Sequence, residues 1–435
     1  MAGFYSTLVA EFGRCLPNCT LCEEACMNAK ADIKKNRITT IHLSEVNFHG
    51  VAKCNQCSEP ACKEVCPTGA ITRTNADGIV RINEDKCVGC ALCILACPYG
   101  GIYYDSGAKK SFKCDNCDGN PKCVEACKYG VLDFVQGQRV FAHLGESFQS
   151  HGVLACQGCA EELVIRQSLR ALGKDIIIFG GPGCSVLELM GTTLGGTVAV
   201  SSMLCFMTNA PAIASGVGRY LRRTGQEPTL VVFAGDGMTA DVGFQALSGA
   251  AERGENMIYI CLDNEAYMNT GIQRSSTTPY KSWTTTTPVG QKGRGKQQQS
   301  KYVPLLMAFH SGVAYVATAS PSFLEDYLQK LLKAKATKKG MAYIHVFCPC
   351  PTGWRSPVNT TITLGKTAVE TNYFPLWEAE YGKFRLTYIP KTPRPVSEFT
   401  NLMGRFSHLT EQELDEFQEM VSSKFNLIKS LTEIY

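Results

Sequence analysis

The second half of the chain alternates continuous apolar runs with amphipathic stretches. Residues 175–180, 229–234 and 256–262 are each strand-length, rich in Val, Ile and Leu, and bounded by glycine or turn residues. Helical patterns lie between them, around residues 168–172 and 212–222. Strands that are apolar on both faces are typical of a parallel sheet covered by helices on both sides. The pattern therefore predicts a doubly wound α/β domain.

The first 130 residues follow a different pattern, in which short apolar segments separate four groups of cysteines. Of 23 cysteines, 16 lie between Cys15 and Cys127. The quartets are Cys15, Cys19, Cys22, Cys26; Cys54, Cys57, Cys62, Cys66; Cys87, Cys90, Cys93, Cys97; and Cys114, Cys117, Cys123, Cys127. The third quartet has the C-x2-C-x2-C-x3-C-P spacing of a bacterial [4Fe–4S] ferredoxin.

In that spacing three thiolates surround one cluster, and the fourth cysteine is carried to a neighbouring cluster. Clusters therefore come in pairs, and four quartets predict four clusters in two di-cluster units. Glycines at 69 and 100–101 precede short apolar segments and indicate turns that enter strands, as in a small α+β ferredoxin-like unit. Structural zinc is the alternative, but it uses two well-separated C-x2-C pairs, whereas these cysteines crowd into short segments.

Polar residues follow two of the predicted strands of the α/β domain. Gly235, Asp236 and Gly237 follow the second strand, and Asp263 and Asn264 follow the third after a gap of 25 residues. That gap suits one crossover helix, so we expect Asp236 and Asn264 to lie side by side at one edge of the sheet. Mg²⁺ prefers hard oxygen ligands. The Asp236 carboxylate, the Asn264 amide oxygen and a backbone carbonyl near Ala266 can therefore supply three ligands to Mg²⁺, as the diphosphate of the motif named next requires, although Gly-Asp-Gly alone is also an ordinary turn.

This Gly-Asp-Gly and asparagine pattern resembles the thiamine diphosphate motif. Residues 233–279 resemble the β subunit of pyruvate:ferredoxin oxidoreductase and its 2-oxoacid relatives almost phrase by phrase, and the resemblance extends from about residue 152 to the C-terminus. It implies that Gly235, Asp236, Gly237, Asp241, Asn264, Ala266 and Asn269 bind the cofactor, with Asn269 near the thiazolium ring. It also implies a fifth [4Fe–4S] cluster on Cys156, Cys159, Cys184 and Cys350. Cys348 is a rival ligand, and Cys205 and Cys261 lie in apolar runs typical of core thiols.

The resemblance implies the β subunit of a CoA-acylating 2-oxoacid:acceptor oxidoreductase, which converts a 2-oxoacid to acyl-CoA and CO2 and passes electrons through the clusters. The expected cofactors are thiamine diphosphate, Mg²⁺ and five [4Fe–4S] clusters. The glutamate that activates thiamine, and most substrate and coenzyme A contacts, would come from an α subunit, with γ and δ subunits and a flavin subunit as further partners. The substrate would be pyruvate or an aryl 2-oxoacid such as phenylglyoxylate, and the acceptor ferredoxin or NAD. An electron-transfer subunit with a non-catalytic thiamine fold is the alternative.

These features predict three parts: a polyferredoxin-like domain over residues 1–145, a thiamine-binding domain over 146–360, and a partly helical extension over 361–435. Within the extension, residues 410–413 form a capping box that predicts a helix through residue 420. A basic loop at residues 292–296 could meet a phosphate, but a solvated loop is the ordinary interpretation.

Composition limits the remaining possibilities. The 43 basic and 39 acidic residues are too balanced for a nucleic-acid binder. The N-terminus shows no secretory signal, and no apolar run reaches the roughly 18 residues of a membrane span. We therefore expect a cytoplasmic protein, in which dense cysteine favours metal over disulfides.

Overall fold

The computed structural model describes residues 4–10, 15–29, 37–43, 48–57, 60–74, 76–138, 144–150, 152–185, 189, 197–291, 293–337 and 339–434. The chain divides into two compact units, Met1–His143 and Leu144–Tyr435. Within the described residues no helix is long and apolar enough to cross a membrane.

The first unit is built from short antiparallel strand pairs and short helices. Its elements are β1 (Phe4–Ala10), α1 (Leu21–Ala29), β2 (Ile38–Leu43), β3 (Phe48–Lys53), α2 (Ala61–Glu64), β4 (Ile71–Arg73), β5 (Val80–Ile82), α3 (Leu92–Ala96), β6 (Ile102–Asp105), β7 (Lys110–Lys113), α4 (Lys122–Ala126) and β8 (Leu132–Gln138). Strand β1 pairs antiparallel with β8 and joins the two ends of the unit. The expected strands after the glycines at 69 and 100–101 are β4 and β6.

The helices of the first unit pack in two pairs, α1 with α4 and α2 with α3. Each helix carries cysteines of one quartet, so the outer quartets lie together and the inner quartets lie together. Buried cysteines form part of two small cores. One core includes Cys22, Cys26, Cys114 and Cys123, and the other includes Cys62 and Cys93. The packing of this unit is therefore organised around its thiols.

The second unit contains an eight-stranded mixed sheet. Its elements are α5 (Ala160–Leu172), β9 (Ile176–Gly180), β10 (Ser201–Leu204), α6 (Ala210–Arg223), β11 (Thr229–Gly235), α7 (Phe244–Glu252), β12 (Ile258–Asp263), α8 (Val303–Ala308), β13 (Val313–Ala319), α9 (Leu324–Ala336), β14 (Met341–Phe347), α10 (Pro351–Trp354), α11 (Thr361–Glu370), β15 (Trp377–Glu380), β16 (Lys383–Leu386), α12 (Ser397–Thr400) and α13 (Glu411–Ile434). The strand order is β10-β9-β11-β12-β14-β13-β15-β16.

Six strands, β10 to β13 in this order, are parallel, and β15 and β16 extend the sheet antiparallel. The three predicted strands are β9, β11 and β12, which are neighbours in the sheet. Every residue of β12 is buried, because both faces of the sheet are covered. This confirms the doubly wound α/β class.

Residues 361–435 are part of this second unit. Strands β15 and β16 belong to the sheet, and Trp377 and Ile428 are fully buried in its core. The capping box is present, since Glu413 N donates to Thr410 Oγ1 at 3.3 Å and Thr410 N donates to Glu413 Oε2 at 3.1 Å. The helix it begins runs to Ile434, well beyond the predicted end at residue 420, because Phe417, Val421 and Ile428 continue a buried stripe.

Candidate functional site

The cysteines of the first unit lie in spatial sets that each combine three cysteines of one quartet with the last cysteine of another. Two cavities are each lined by three cysteines of one quartet and the last cysteine of another. These sets are Cys15, Cys19, Cys22 with Cys127, and Cys87, Cys90, Cys93 with Cys66. The exchange is the one that the ferredoxin spacing requires of a fourth cysteine.

The two remaining sets follow from the same exchange, and the mutual influence of their thiols agrees with them. Burial raises the pKa of Cys57, and neighbouring Cys54 and Cys97 raise it further because like charges repel. Cys62 is influenced by the same thiols. A third set therefore consists of Cys54, Cys57, Cys62 and Cys97.

The fourth set surrounds Cys123. Burial raises the pKa of this thiol to about 12, and Cys114 and Cys117 add to the rise. Cys26 also acts on Cys123, and it lies near Cys117. The set is Cys26, Cys114, Cys117 and Cys123.

Buried thiols of this kind suit a metal cluster, because a thiol gives up its proton when it coordinates a metal, and the metal charge stabilises the thiolate. Among the described residues no three His, Cys, Asp or Glu side chains converge closely enough to hold a single metal ion. In a cubane each thiolate binds a different iron, so four ligands stand around the cluster and not around one ion. By their donor chemistry and their grouping, the sixteen cysteines fit four cubane clusters.

The predicted diphosphate site lies at the carboxyl ends of β11 and β12. Gly235 is paired with Leu262 in the parallel register, which places Asp236 beside Asp263. Thr277 Oγ1 lies 2.9 Å from both Asp236 Oδ2 and Asp263 Oδ1. Burial, followed by the Asp263 charge, raises the pKa of Asp236 well above its ordinary value. A hydroxyl has one proton to donate, so Thr277 alone does not neutralise two carboxylates, and a cation between them would offset their repulsion.

Asp263 also contacts a histidine below the sheet edge. His345 Nε2 lies 2.7 Å from Asp263 Oδ2, and Tyr343 OH lies 2.7 Å from His345 Nδ1. All three side chains are buried. Asp263 is thus positioned by a hydrogen bond to His345, whereas Asp236 has a hydrogen bond from the Thr277 hydroxyl. Asp236 is therefore the carboxylate that a divalent cation would stabilise most.

The Asn264 amide is oriented by an acidic residue that the sequence did not single out. Asn264 Nδ2 donates to Glu161 Oε1 at 2.5 Å, so its Oδ1 faces the other way and accepts from Ala266 N at 3.4 Å. Trp354 Nε1 donates to the Asn264 carbonyl at 2.9 Å. A side-chain amide held by two hydrogen bonds, on a backbone held by a third, presents a preorganised oxygen, which fits a Mg²⁺ ligand.

The segment after Ala266 connects the sheet edge with the rest of the site. Tyr267 OH donates to Gly237 O at 3.1 Å and to Asp241 Oδ2 at 3.3 Å. A Cβ on Gly237 would lie 2.4 Å from the Tyr267 ring, so only glycine fits there. Asp241 also accepts from Ser276 N at 3.0 Å. Asp241 therefore fixes the loop over the Gly-Asp-Gly turn.

The next two residues, Met268 and Asn269, differ in their environment. The Met268 side chain packs against Gly353, where an added Cβ would lie 2.2 Å from the Met268 sulfur and 3.3 Å from Cys350 Sγ. Asn269 is exposed. This segment thus connects the diphosphate end, through Tyr267, with the Cys350 loop, through Met268, and leaves Asn269 open to a partner.

The four cysteines expected around the fifth cluster lie in three separate segments of the chain. Cys159 directly precedes α5, Cys184 follows β9, and Cys350 precedes α10, where its sulfur accepts from Gly353 N at 3.3 Å. Burial raises the pKa of Cys350 to about 11, and Glu161 and Cys156 add to the rise, which places Cys350 beside Cys156. Thr361 Oγ1 donates to Gly158 O at 2.5 Å and holds the Cys156–Cys159 turn.

The rival ligand Cys348 is in the core. It is fully buried, and burial raises its pKa well above the ordinary value, with added influence from Glu161 and Cys159. Cys205 and Cys261 are also buried, as their apolar runs predicted. The half-buried Cys350 is more accessible to a cluster than Cys348.

Two further features were not expected from the sequence. Glu265 is buried, accepts a 2.5 Å hydrogen bond from Tyr373 OH, and forms an ion pair with Arg405. The Arg405 guanidinium stacks on the Trp354 ring, with its carbon 3.9 Å from the ring centroid. The sequence does not predict the role of Glu161, because an acidic residue in the first turn of a helix is the ordinary complement to the helix dipole. It does not predict the ion pair of Glu265, because the partner Arg405 is 140 residues away.

The solvated loop expected at residues 292–296 is found at Arg294, which is exposed, but not at Lys296. Lys292 lies outside the described residues, but Lys296 is 1% exposed, and its Nζ donates to Ser276 O at 2.9 Å and Thr278 O at 2.5 Å. Burial lowers the pKa of Lys296 to about 8. Lys296 therefore supports the loop of Ser276, Thr277 and Thr278 and does not meet a phosphate from solvent.

Comparisons with known proteins agree with both units. The family described as thiamine pyrophosphate enzyme, C-terminal TPP binding domain, matches residues 181–346, and the family described as 4Fe-4S dicluster domain matches residues 46–137. The β subunit of NADH-dependent phenylglyoxylate dehydrogenase from Aromatoleum evansii is 41% identical over 100% of this chain and 99% of its own length.

Two relatives match a shorter stretch. Pyruvate synthase subunit PorB from Methanothermobacter thermautotrophicus is 49% identical over 64% of this chain and 96% of its own length. Ketoisovalerate oxidoreductase subunit VorB from Pyrococcus furiosus is 40% identical over 66% of this chain and 95% of its own length.

Proposed function

Because the chain belongs to the family of thiamine-diphosphate-binding β subunits of 2-oxoacid oxidoreductases, we propose that it is the catalytic and electron-transferring β subunit of a CoA-acylating complex. The observation that carries the proposal is the continuous segment from the Mg²⁺–diphosphate residues through Tyr267 and Met268 to the Cys350 loop. It joins the place where the 2-oxoacid would lose electrons to the place where a cluster would receive them.

In this proposal Asp236, Asn264 and the Ala266 carbonyl hold Mg²⁺ and, through it, the diphosphate. Glu161 keeps the Asn264 amide oriented, and Thr277 and Tyr267 fix the loops on either side. Thiamine diphosphate, when bound, supplies the electron sink for decarboxylation of the 2-oxoacid. The Met268 side chain would exclude water between the cofactor and the cluster.

We assign five [4Fe–4S] clusters to the chain. Four are held by the cysteine sets of the first unit, and the fifth by Cys156, Cys159, Cys184 and Cys350. Oxidation of a 2-oxoacid releases two electrons, which leave one at a time because each cluster accepts one, so several clusters in series allow the two-electron oxidation to be completed. Because cytoplasmic thiols are kept reduced and so stay available as cluster ligands, we place the protein in the cytoplasm.

The activating glutamate and the coenzyme A contacts are assigned to a partner α subunit, which would cover the exposed Asn269. Further subunits would complete the complex. Because the relative matched over its full length is NADH-dependent, we propose NAD as final acceptor, reached through a flavin subunit, with ferredoxin as the alternative.

We propose an aryl 2-oxoacid such as phenylglyoxylate as substrate, because the matched relative that also covers the cysteine-rich unit is a phenylglyoxylate dehydrogenase subunit. The 49% identity of the second unit to a pyruvate synthase subunit favours pyruvate as the second candidate. An anaerobic assay of the purified complex with coenzyme A and either phenylglyoxylate, pyruvate or a branched 2-oxoacid tests this. We expect the highest kcat/KM for phenylglyoxylate with NAD. A tenfold preference for pyruvate would overturn the substrate assignment.

A further inference from the structure

Lys113 carries a buried charge that no carboxylate balances in the described part of the chain. The residue ends β7 and is 3% exposed. Its ammonium donates to the carbonyl of Cys114 at 2.8 Å and to that of Val80. An ammonium buried without an anion is costly to fold. A negatively charged group bound nearby would balance it.

Cysteines of two different sets lie around Lys113. Burial raises the pKa of Cys62 to about 11, and the Lys113 charge opposes that rise. Lys113 acts in the same direction on Cys57 and on the adjacent Cys114. Cys57 and Cys62 belong to the set of Cys54, and Cys114 belongs to the set of Cys123; these two are called the inner sets. The ammonium contacts the carbonyl of one ligand of the second set, and its charge acts on two thiols of the first.

Gln56 shows that these two sets adjoin. Its backbone N–H donates to Cys54 Sγ at 3.4 Å, and its side-chain Nε2 donates to the Cys114 carbonyl at 2.8 Å. Val80 N donates to Gln56 Oε1 at 2.8 Å, so the strand whose carbonyl receives Lys113 is tied to the same side chain. Gln56 is fully buried. The sets of Cys54 and Cys114 therefore adjoin at one buried junction, formed around Gln56.

The exchange of fourth cysteines places this junction between the other two sets, those of Cys15 and Cys90, which are called the outer sets. The cysteine exchange pairs each outer set with one inner set. Electrons that travel the length of the unit must therefore cross the junction.

Other cations lie near the inner sets. Arg37 N donates to Cys26 Sγ at 3.2 Å, but its guanidinium forms an ion pair with Asp115 at 2.9 Å, which offsets its charge. Lys53 precedes Cys54 and donates to Asn55 Oδ1 at 3.1 Å, and Arg73 donates to the Cys57 carbonyl at 2.8 Å, so both lie beside one set. Lys113 differs because it donates to a carbonyl of one set and its charge acts on thiols of the other.

We propose that Lys113 is the shared counter-ion of the two central clusters and raises the reduction potential of both. The inference rests on the proposed function, since it requires clusters on these cysteines. A cubane with four thiolates is anionic and becomes more so on reduction, so a nearby positive charge favours the reduced form. When an electron passes between the two central clusters, one cluster is oxidised as the other is reduced. The Lys113 charge stabilises the electron on either of them.

The test is an EPR-monitored redox titration of the purified complex carrying Lys113→Gln. Glutamine keeps hydrogen-bond donors for the two carbonyls but removes the charge. We expect the reduction equilibrium of two clusters to shift about tenfold toward the oxidised form, about 59 mV for one electron. The other clusters should keep their potentials. The control Lys109→Gln removes the same charge from an exposed turn of the same hairpin and should shift none.

Lys113→Arg separates charge from shape, and it should keep potentials near those of the wild type. Unchanged potentials in Lys113→Gln with full iron content would overturn the inference. Loss of iron in both Lys113 variants would also overturn it, since it would show that the shape of lysine and not its charge is needed. Loss in Lys113→Gln alone supports the counter-ion role. Absence of clusters from the wild-type complex would instead overturn the proposed function.

Discussion

Glu161 Oε1 accepts a 2.5 Å hydrogen bond from Asn264 Nδ2, which joins a helix that begins next to a proposed cluster ligand to a proposed Mg²⁺ ligand. Glu161 lies two residues after Cys159 and is 4% exposed. It also raises the pKa of Cys350, after the larger effect of burial. One carboxylate therefore contacts the thiamine end of the site and influences the cluster end.

Replacing Glu161 tests that relationship. In Glu161→Ala the Asn264 amide loses the acceptor that orients it, and a buried donor without a partner costs about 1–3 kcal/mol. We expect the Kd for thiamine diphosphate in the presence of Mg²⁺ to rise roughly five- to a hundredfold, measured by isothermal titration. Glu162→Ala is the matched control, because Glu162 pairs with Arg166 at the surface. Equal affinities in the two variants would contradict the orienting role.

Replacing Asp236 tests the metal site and the independence of the two units. Asp236→Ala removes the carboxylate that would bind Mg²⁺, so thiamine diphosphate binding should fall by about a hundredfold or more. Because the cysteine-rich unit is compact by itself, its four clusters should remain, as measured by iron content and EPR. The control Asp175→Asn changes an exposed residue before β9. Loss of the four clusters in Asp236→Ala would show that the units do not fold separately.

The choice between Cys350 and Cys348 is tested by a pair of variants. Cys350 is half-buried beside Cys156, whereas Cys348 is fully buried. Cys350→Ser should lose about four iron atoms per chain, the content of one cubane, and Cys348→Ala should lose none. Iron analysis with EPR of the reduced protein distinguishes them. The reverse result would make Cys348 the ligand.

Lys296 predicts a pH dependence of stability. Burial lowers its pKa to about 8, whereas the unfolded chain has an ordinary lysine pKa of about 10.4. Between these values the unfolded state binds more protons, so stability rises with pH by at most about 1.4 kcal/mol per unit. Anaerobic denaturant unfolding should therefore show the wild type gaining stability relative to Lys296→Met from about pH 8 to 10.4. Parallel profiles would show that Lys296 does not titrate in this way.

The sequence predicted those features that depend on local spacing. The apolar runs gave β9, β11 and β12, and the quartet spacing gave the exchange of fourth cysteines. Asp236 and Asn264 were expected at one sheet edge because neighbouring parallel strands end together, and β11 and β12 are neighbours.

Other features depend on contacts that spacing does not encode. The Glu161 and Asn264 contact joins residues 103 apart, and the Arg405 and Glu265 ion pair joins residues 140 apart. The Lys296 loop was interpreted as solvated because a run of charges usually faces water, yet the lysine is buried by carbonyls of a distant turn. Residues 361–435 gave no strand signal strong enough to predict that they extend the sheet.

The central claim is that this chain couples 2-oxoacid oxidation at thiamine to its own clusters. The most direct measurement is anaerobic visible and EPR spectroscopy of the purified complex without an external acceptor, with thiamine and iron quantified per chain. We predict one thiamine diphosphate and about twenty iron atoms, and cluster reduction on addition of a 2-oxoacid with coenzyme A. A complex with full iron content that dithionite reduces, but that contains no thiamine and responds to no 2-oxoacid, would contradict the claim and identify an electron-transfer subunit.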